Sequence, residues 1–459
     1  MTQLHRAPIA VTNQTNDFIH DLRWQDLPTE VQNMSRLCLL DLLGVAASGT
    51  RTDLSSMIGQ HALQHFGTGV STQRARLLFD GRACSPLGAA LANGMTIDSI
   101  DAHDGYKPAK GHAGCGVLAA LLAVLDGEYD QLEHTEQELL TCLVIGYELA
   151  CRAGVALHDS TPDYHTSGAW VALAAAALGS RVLRLTSEQT RHALGIAEYH
   201  GPRSQMMRCI DHPTMLKDGS GWGAMAGVSS AYLAQSGFTG APALTIESEC
   251  QWYADLGNRW LICEQYFKPY PVCRWAQPAV VAALYLRQKN SFQIQDVQSL
   301  VIGTFHESRR LSTARPTTTE EAQYSLPFPV AAALANNRLT VDEITGKGLK
   351  VDTVLGLSQA IELKEVQRYN DAFPQRRFSD VTITLKDGRV LESGPTEADG
   401  DPESPLPIED IHAKFHTLAS PVIGKSASQA VASCVSDFGY ENRTLDNFFS
   451  LIYTPASDT

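Results

Sequence analysis

The ten residues Ala169–Leu178 (AWVALAAAAL) carry no polar side chain on any face. Ala and Leu are strong helix formers, and a helix that is apolar all round has to be enclosed by something. The longest apolar candidate for a membrane span, Ser167–Ser180, is too short at 14 residues to cross a bilayer, so no membrane is expected and protein must do the enclosing. The run therefore predicts the central helix of a bundle. From Asp17 to about Leu244 the same texture continues in Val117–Leu125, Glu138–Ala150 and Gly168–Leu183, Ala- and Leu-rich segments separated by Gly. Aromatic residues make up only 7% of the chain, so these helices must pack closely on small side chains. With 459 residues and 44% hydrophobic content, one large domain or two modest ones can bury a sizeable core.

After about Phe267 the texture changes. Val297–Phe305 (VQSLVIGTF) and Val381–Leu391 (VTITLKDGRVL) are β-branched runs, the second folding back at Asp387-Gly388 as a hairpin does. A second, α+β unit is expected here. Gly394–Ile408 holds Gly, Pro and acids without periodicity and reads as a loop. Glu409–Ala419 and Ala427–Cys434 then return to helical character, so the C-terminal end is expected to rejoin the helical part.

Charge and motifs exclude several function classes. Lys and Arg number 36 against 50 Asp and Glu, a formal charge of −14, which argues against nonspecific nucleic-acid binding. The ten cysteines are scattered without a CxxC pair, and MTQLHRAPIAVTNQTNDF at the N-terminus has no apolar core after its basic residues. A reduced, cytoplasmic setting is the expectation. No GxGxxG opens a helix after a strand, and no GxxxxGK[ST] or HExxH occurs, so neither a nucleotide cofactor nor a metal is expected.

What remains is a set of polar clusters in the breaks between apolar helices, where a helical scaffold displays functional groups. Asp98–Gly114 (DSIDAHDGYKPAKGHAG) holds Asp101, His103 and His112 just before a buried helix. His158–Gly168 (HDSTPDYHTSG) places His165 before another, and Arg203–Gly223 (RSQMMRCIDHPTMLKDGSGWG) places Arg208, His212 and Lys217 before a third. Phe267–Ala276 (FKPYPVCRWA) sets Lys268 and Arg274 around two prolines, a rigid way to aim cations at a carboxylate. Singly, each group also fits a solvated loop, His165 a helix cap and Lys217 an exposed lysine. Together, acids, imidazoles and lysines without a metal or nucleotide motif suit proton abstraction next to a carboxylate, with cations holding the acid groups.

In this order, LDLLGVAASGT (Leu40–Thr50), the ANGM…D…GH region at Ala92–His112 and EAQYSLPFPVAAAL (Glu321–Leu334) make nearly the whole chain resemble the MmgE/PrpD family. Its members include 2-methylcitrate dehydratase, cis-aconitate decarboxylase and iminodisuccinate epimerase. The resemblance implies a mainly α protein, with a large all-helical domain built from residues 1–266 and 405–459 and a smaller α+β lid domain over 267–404. It further implies a cofactor-free site between the two, a homodimer, and small di- or tricarboxylate substrates. Carried over by motif, Asp101, His112, His165 and Lys217 resemble the family's catalytic groups and Lys268 its lid lysine. Arg274, His103, Tyr324 and Gln277 are expected to contact substrate.

The chain also departs from the pattern. Where family members commonly carry a DFDDT-like string followed by HPS, it has Asp101-Ala102-His103-Asp104-Gly105 and His112-Ala113-Gly114, so a hydroxyl is missing at position 105. Gln277 replaces a frequent His and Phe328 a frequent Tyr; Tyr324, four residues earlier, is the candidate phenol. The leading expectation is a lyase of the hydro-lyase type. A base, His112 or Lys217, removes the proton, His165 acts as partner acid, and Asp101 orients and charges the histidine. The rivals are an epimerase, which the spacing from Asp101 to His112 resembles, a decarboxylase, and a silent binding protein.

Overall fold

The computed structural model describes residues 9–69, 73–129, 132 and 134–455. The first eight residues, on which part of the leader reading rests, lie outside them. The helices that position the site are α1 (Thr29–Gly49), α2 (Pro86–Asp98), α3 (Gly114–Gly127), α4 (Glu136–Ser160), α5 (Gly168–Val182), α6 (Ser187–His200), α7 (Ser220–Gln235), α8 (Gln277–Lys289), α9 (Pro327–Asn336) and α10 (Ile408–Ile423). The strands of the α+β part are β1 (Val297–Thr304), β2 (Ile361–Glu365), β3 (Ser379–Leu385) and β4 (Val390–Glu392). The protein is mainly α with a smaller α+β part, as expected.

The all-apolar run lies in α5, which is buried continuously from Gly168 to Ser180 and is packed by α3, α4, α6 and α7. Small residues let the backbones meet. A Cβ built on Gly223 of α7 would stand 2.3 Å from the carbonyl oxygen of Gly168, and one on Gly227 would stand 2.3 Å from that of Ala172. At that separation the helices touch through their main chains, and dispersion between dense, side-chain-poor surfaces replaces the area that larger residues would bury. Helix starts are marked by ordinary chemistry. Ser85 caps α2 ahead of Pro86, and Thr135 caps α4 ahead of two glutamates in its first turn.

Residues from both ends of the chain share this core. Ile411 and Phe415 of α10 and Phe448 and Ile452 beyond it pack with Leu39 and Leu43 of α1, and Gly44 accepts the Phe415 ring against its backbone. A second apolar core gathers Val280, Ile302, Phe305, Phe328 and Ile383, together with Met206 and Ile210. Its sheet has the order β2-β1-β3-β4, with β1 and β2 parallel and the other pairs antiparallel. β3 alternates strictly, burying Val381, Ile383 and Leu385, and turns at Gly388 (φ +89°) into β4, the hairpin read from Asp387-Gly388.

One sequence expectation fails. Glu136–Ser160 is 25 residues long and, by length and composition, passes as a membrane span where Ser167–Ser180 had seemed the longest candidate. Of its most apolar window 94% is buried inside the protein, so α4 is a core helix, its charges spaced widely enough to leave long apolar stretches.

The backbone contact makes a signed prediction. Gly227→Ala should cost about 1–3 kcal/mol because α5 and α7 must separate. Gly356→Ala should gain about 0.5–1 kcal/mol, because Gly356 lies inside the exposed helix Asp352–Ala360 with open space around it. Urea unfolding midpoints of the two variants should therefore move in opposite directions.

Candidate active site

The loop between α2 and α3 is fastened from three sides. Asp101 adopts the left-handed conformation (φ +51°), which Asp tolerates better than most residues, and this turns its carbonyl and carboxylate toward one point. Lys268 occupies that point, its Nζ donating to the Asp101 carbonyl and to Oδ1, both at 3.0 Å. Lys414, from α10, donates to the carbonyl of Ala102 at 2.7 Å and pairs with the buried Asp41 carboxylate of α1 at 2.6 Å. Gly105 and Tyr266 exchange backbone hydrogen bonds of 3.1 and 2.8 Å, tying the loop to the segment that leads into Lys268.

Lys268 is fully buried and Asp101 nearly so. Burial pulls the lysine's pKa down, but Asp101, with Tyr266 behind it, overrides burial and holds the ammonium above its ordinary value. The sequence reading gave Asp101 to the histidine; the structure gives it to Lys268. The carboxylate that meets an imidazole is instead Asp98, whose Oδ1 lies 3.1 Å from His103 Nε2. Burial pushes Asp98 up, yet His103 and the nearby Lys217 and Lys268 together hold it below the usual aspartate value.

His112 is oriented by the main chain. Its Nδ1 faces the carbonyl oxygen of Asp104, and a carbonyl only accepts, so Nδ1 carries the proton and Nε2 the lone pair. Burial first, then Lys268 and His103, push its pKa well below the ordinary imidazole range, so the ring is neutral at pH 7. It stands edge-on to His103, with centroids 4.4 Å apart, and edge-on to Tyr266 at 6.2 Å. Its backbone N–H donates to Ser167 Oγ at 2.8 Å, and Ser167 in turn donates to Asp218. A Cβ on Gly105 would stand 2.4 Å from Tyr266 Oη and 2.8 Å from His112 Nδ1. The hydroxyl absent at position 105 thus has no room, because the phenol of Tyr266 fills the space. The sequence reading missed Tyr266; its position two residues before Lys268 was the one signal on offer.

Lys217 supplies the other side. It too is buried and left-handed (φ +51°), not the exposed lysine its neighbours suggested. Its ammonium donates to Gln323 Oε1 and lies 4.7 Å over the Tyr324 ring. Gln323, also missed, donates from its other end to the Ser99 carbonyl at 2.8 Å and so joins Lys217 to the Asp101 loop. Burial raises the Tyr324 phenol well above its usual value, so it stays protonated. Burial, with Asp98 adding to it, lifts Asp218 to about 7. A cavity of about 380 Å³ opens beside this group, with Thr166, Gln205, Arg208, His212, Lys217 and Trp222 in its lining.

The remaining expected residues are engaged in bonds of their own, although Arg274 also lies 4.8 Å over the Tyr266 ring. His165 bonds the Asp163 carbonyl through Nδ1 at 2.9 Å and stacks on His158, with ring centroids 6.4 Å apart. Arg274, expected to hold substrate, donates to the carbonyls of Ala398 and Asp399 and pairs with Asp401 at 3.1 Å. Gln277 accepts from Arg274 and donates to the carbonyls of Tyr270 and Val272. Both residues are occupied in shaping the 270–277 loop. Among the described residues, Asp98, Asp101 and His103 form a group whose ligand atoms lie within 4.8 Å of one another, close enough for a cation. The Lys268 ammonium already sits on Asp101, and the His103 ring is hydrogen-bonded to Asp98.

Two stability tests follow from the pairings. Lys268→Met should cost about 3–5 kcal/mol by stranding the Asp101 carboxylate, and adding Asp101→Asn should recover most of the loss in urea unfolding. Burial raises Asp104 to about 6, against about 4 in an unfolded chain, so the native state holds the extra proton across that window and loses stability as pH rises through it. In Asp104→Asn the fall in unfolding midpoint between about pH 4 and 6 should shrink, while Asp218, raised to about 7, still contributes above it.

Known proteins share this architecture in sequence. Residues 13–259 match the model of the MmgE/PrpD N-terminal domain and residues 270–438 that of the MmgE/PrpD C-terminal domain. Proteins named cis-aconitate decarboxylase from Mus musculus and Homo sapiens are each 24% identical over 448 residues, spanning 93% of this chain and 90% and 92% of theirs. The cis-aconitate decarboxylase of Aspergillus terreus is 22% identical over 480 residues, covering 94% of this chain and 93% of its own. Matched along most of its length by both domain models, the chain belongs to the MmgE/PrpD family.

Proposed function

We propose that this protein is a cofactor-independent lyase that removes a proton next to a carboxylate of a small di- or tricarboxylate. The observation that carries the reading is His112, neutral, with its proton fixed on Nδ1 and an electron pair on Nε2, beside the ammonium of Lys268. A ring in that state is a base. Its Nε2 takes the carbon-bound proton, and Lys268 and Lys217 balance the negative charge that develops on the substrate carboxylate. Elimination then expels the β-hydroxyl, which takes a proton from the Lys217 ammonium beside the Tyr324 phenol. This makes the enzyme a hydro-lyase.

A second reading, decarboxylation, is favoured by what the relatives are named. It breaks a carbon–carbon bond and then needs a proton delivered to carbon, a task for Lys217 and not for neutral His112. Epimerisation would use the same base together with a second acid on the other side of the carbon, which delivers a proton to the opposite face.

Proton NMR in D2O with citrate, 2-methylcitrate, cis-aconitate and aminodicarboxylates separates these outcomes. Vinyl product with solvent exchange supports the hydro-lyase, loss of CO2 from cis-aconitate supports the decarboxylase, and exchange with inversion alone supports the epimerase. Silence with every acid would remove the lyase reading. His112→Asn should slow exchange about 10²–10⁴-fold. Because the His112 pKa is depressed, the acid limb of kcat/KM should lie below the ordinary imidazole value of about 6.5.

A further inference from the structure

We infer that Arg377 is a carboxylate anchor of this site, contributed by the segment entering β3. The inference rests on the carboxylate reading above and deepens it. Arg377 is only 5% exposed, yet its Nε and Nη1 meet no hydrogen-bond acceptor, and among the described residues no carboxylate lies within ion-pair distance. The other buried arginines are all occupied. Arg36 donates to the Phe438 carbonyl, Arg152 pairs with Glu148 and Asp255, and Arg274 holds the carbonyls of Ala398 and Asp399. Even the neighbouring Arg376, which is exposed, pairs with Glu397.

A guanidinium stays charged in a protein, and burying it without an anion is costly, so its place in the fold has to be justified by something it binds. Its position says what. The guanidinium lies 5.7 Å from the centre of the Tyr266 ring, which stands nearly perpendicular to the His112 ring with centroids 6.2 Å apart and whose chain leads two residues on to Lys268. Three cations, Arg377, Lys268 and Arg274, thus surround one phenol beside the base; Lys268 is paired with Asp101 and Arg274 with Asp401, and Arg377 alone of the three has no carboxylate partner among the described residues. A planar fork with open Nε and Nη1 suits the two oxygens of a carboxylate, and a ligand that also engages Lys268 needs a second acid group. The site therefore takes an anion with at least two carboxylates, one of them on Arg377.

The test measures binding with the full-length protein and tricarballylate, a tricarboxylate without a hydroxyl to eliminate, by calorimetry, with phosphate and sulfate alongside. Wild type should bind tricarballylate, Arg377→Gln should weaken it about 30-fold, and Arg376→Gln should not change it. Arg377→Lys keeps the charge and loses the fork, so it should fall between the two and serves if the Gln variant does not fold. Binding by Arg377→Gln within twofold of wild type would overturn the inference, as would failure of wild type to bind any of these anions. Arg377-dependent binding of phosphate or sulfate with none of tricarballylate would sustain the anion anchor and remove the polycarboxylate reading.

Discussion

The ion pair between Lys268 and Asp101 is the contact on which the rest of the site depends. It joins the loop after α2 to the segment that begins the second core, 167 residues away in the chain, with both side chains buried. A pair of this kind stabilises little against an apolar replacement, but it is costly to break by halves, so it fixes geometry more than it adds free energy. Asp101 takes a left-handed backbone to make it, and Tyr266 and Lys414 hold the loop on either side. The chemistry of His112 is downstream of this arrangement, because the ammonium that Asp101 retains is one of the charges that keep the imidazole neutral.

The helical scaffold reaches the required precision through absence of side chain. Where Gly223 and Gly227 bring α7 onto α5, the register of two helices is set by main-chain contact, which has fewer ways to relax than interlocking leucines. Lys217 and Asp218 sit immediately before α7, and Ser167 immediately before α5. The hydrogen bonds that link Asp218, Ser167 and His112 therefore inherit the tolerance of that packing.

Much of this was legible in the chain. The Ala-rich run, the β-branched segments and the Asp387-Gly388 turn are local signals, and the elements they announce are there. The loop clusters also pointed to Asp101, His103, His112, Lys217 and Lys268, because ionisable groups crowded between apolar helices have few bland uses. What escaped depends on partners far along the chain. Arg274 and Gln277 look like substrate ligands until carbonyls at 398–399 and 270–272 occupy them. Tyr266 acquires meaning only from pairing with Gly105, and nothing local marks Arg377 as the arginine that is buried with its Nε and Nη1 unpaired. The strand β2 (IELKE) hid for a similar reason, being a charged edge strand whose parallel partner comes from β1.

The sharing of one core by both ends of the chain has a consequence for synthesis. The face of α1 that carries Leu39 and Leu43, and the groove at Gly44 that receives Phe415, leave the ribosome long before α10 exists. At about 5–20 residues per second, that apolar face stays uncovered for tens of seconds while the intervening chain is made. Lys414 arrives with the same late segment, so the Ala102 carbonyl gains its last fastening only then. A nascent chain can thus assemble its helices early, but the loop bearing Asp101 and His112 is fully held only when the final tenth of the polypeptide docks.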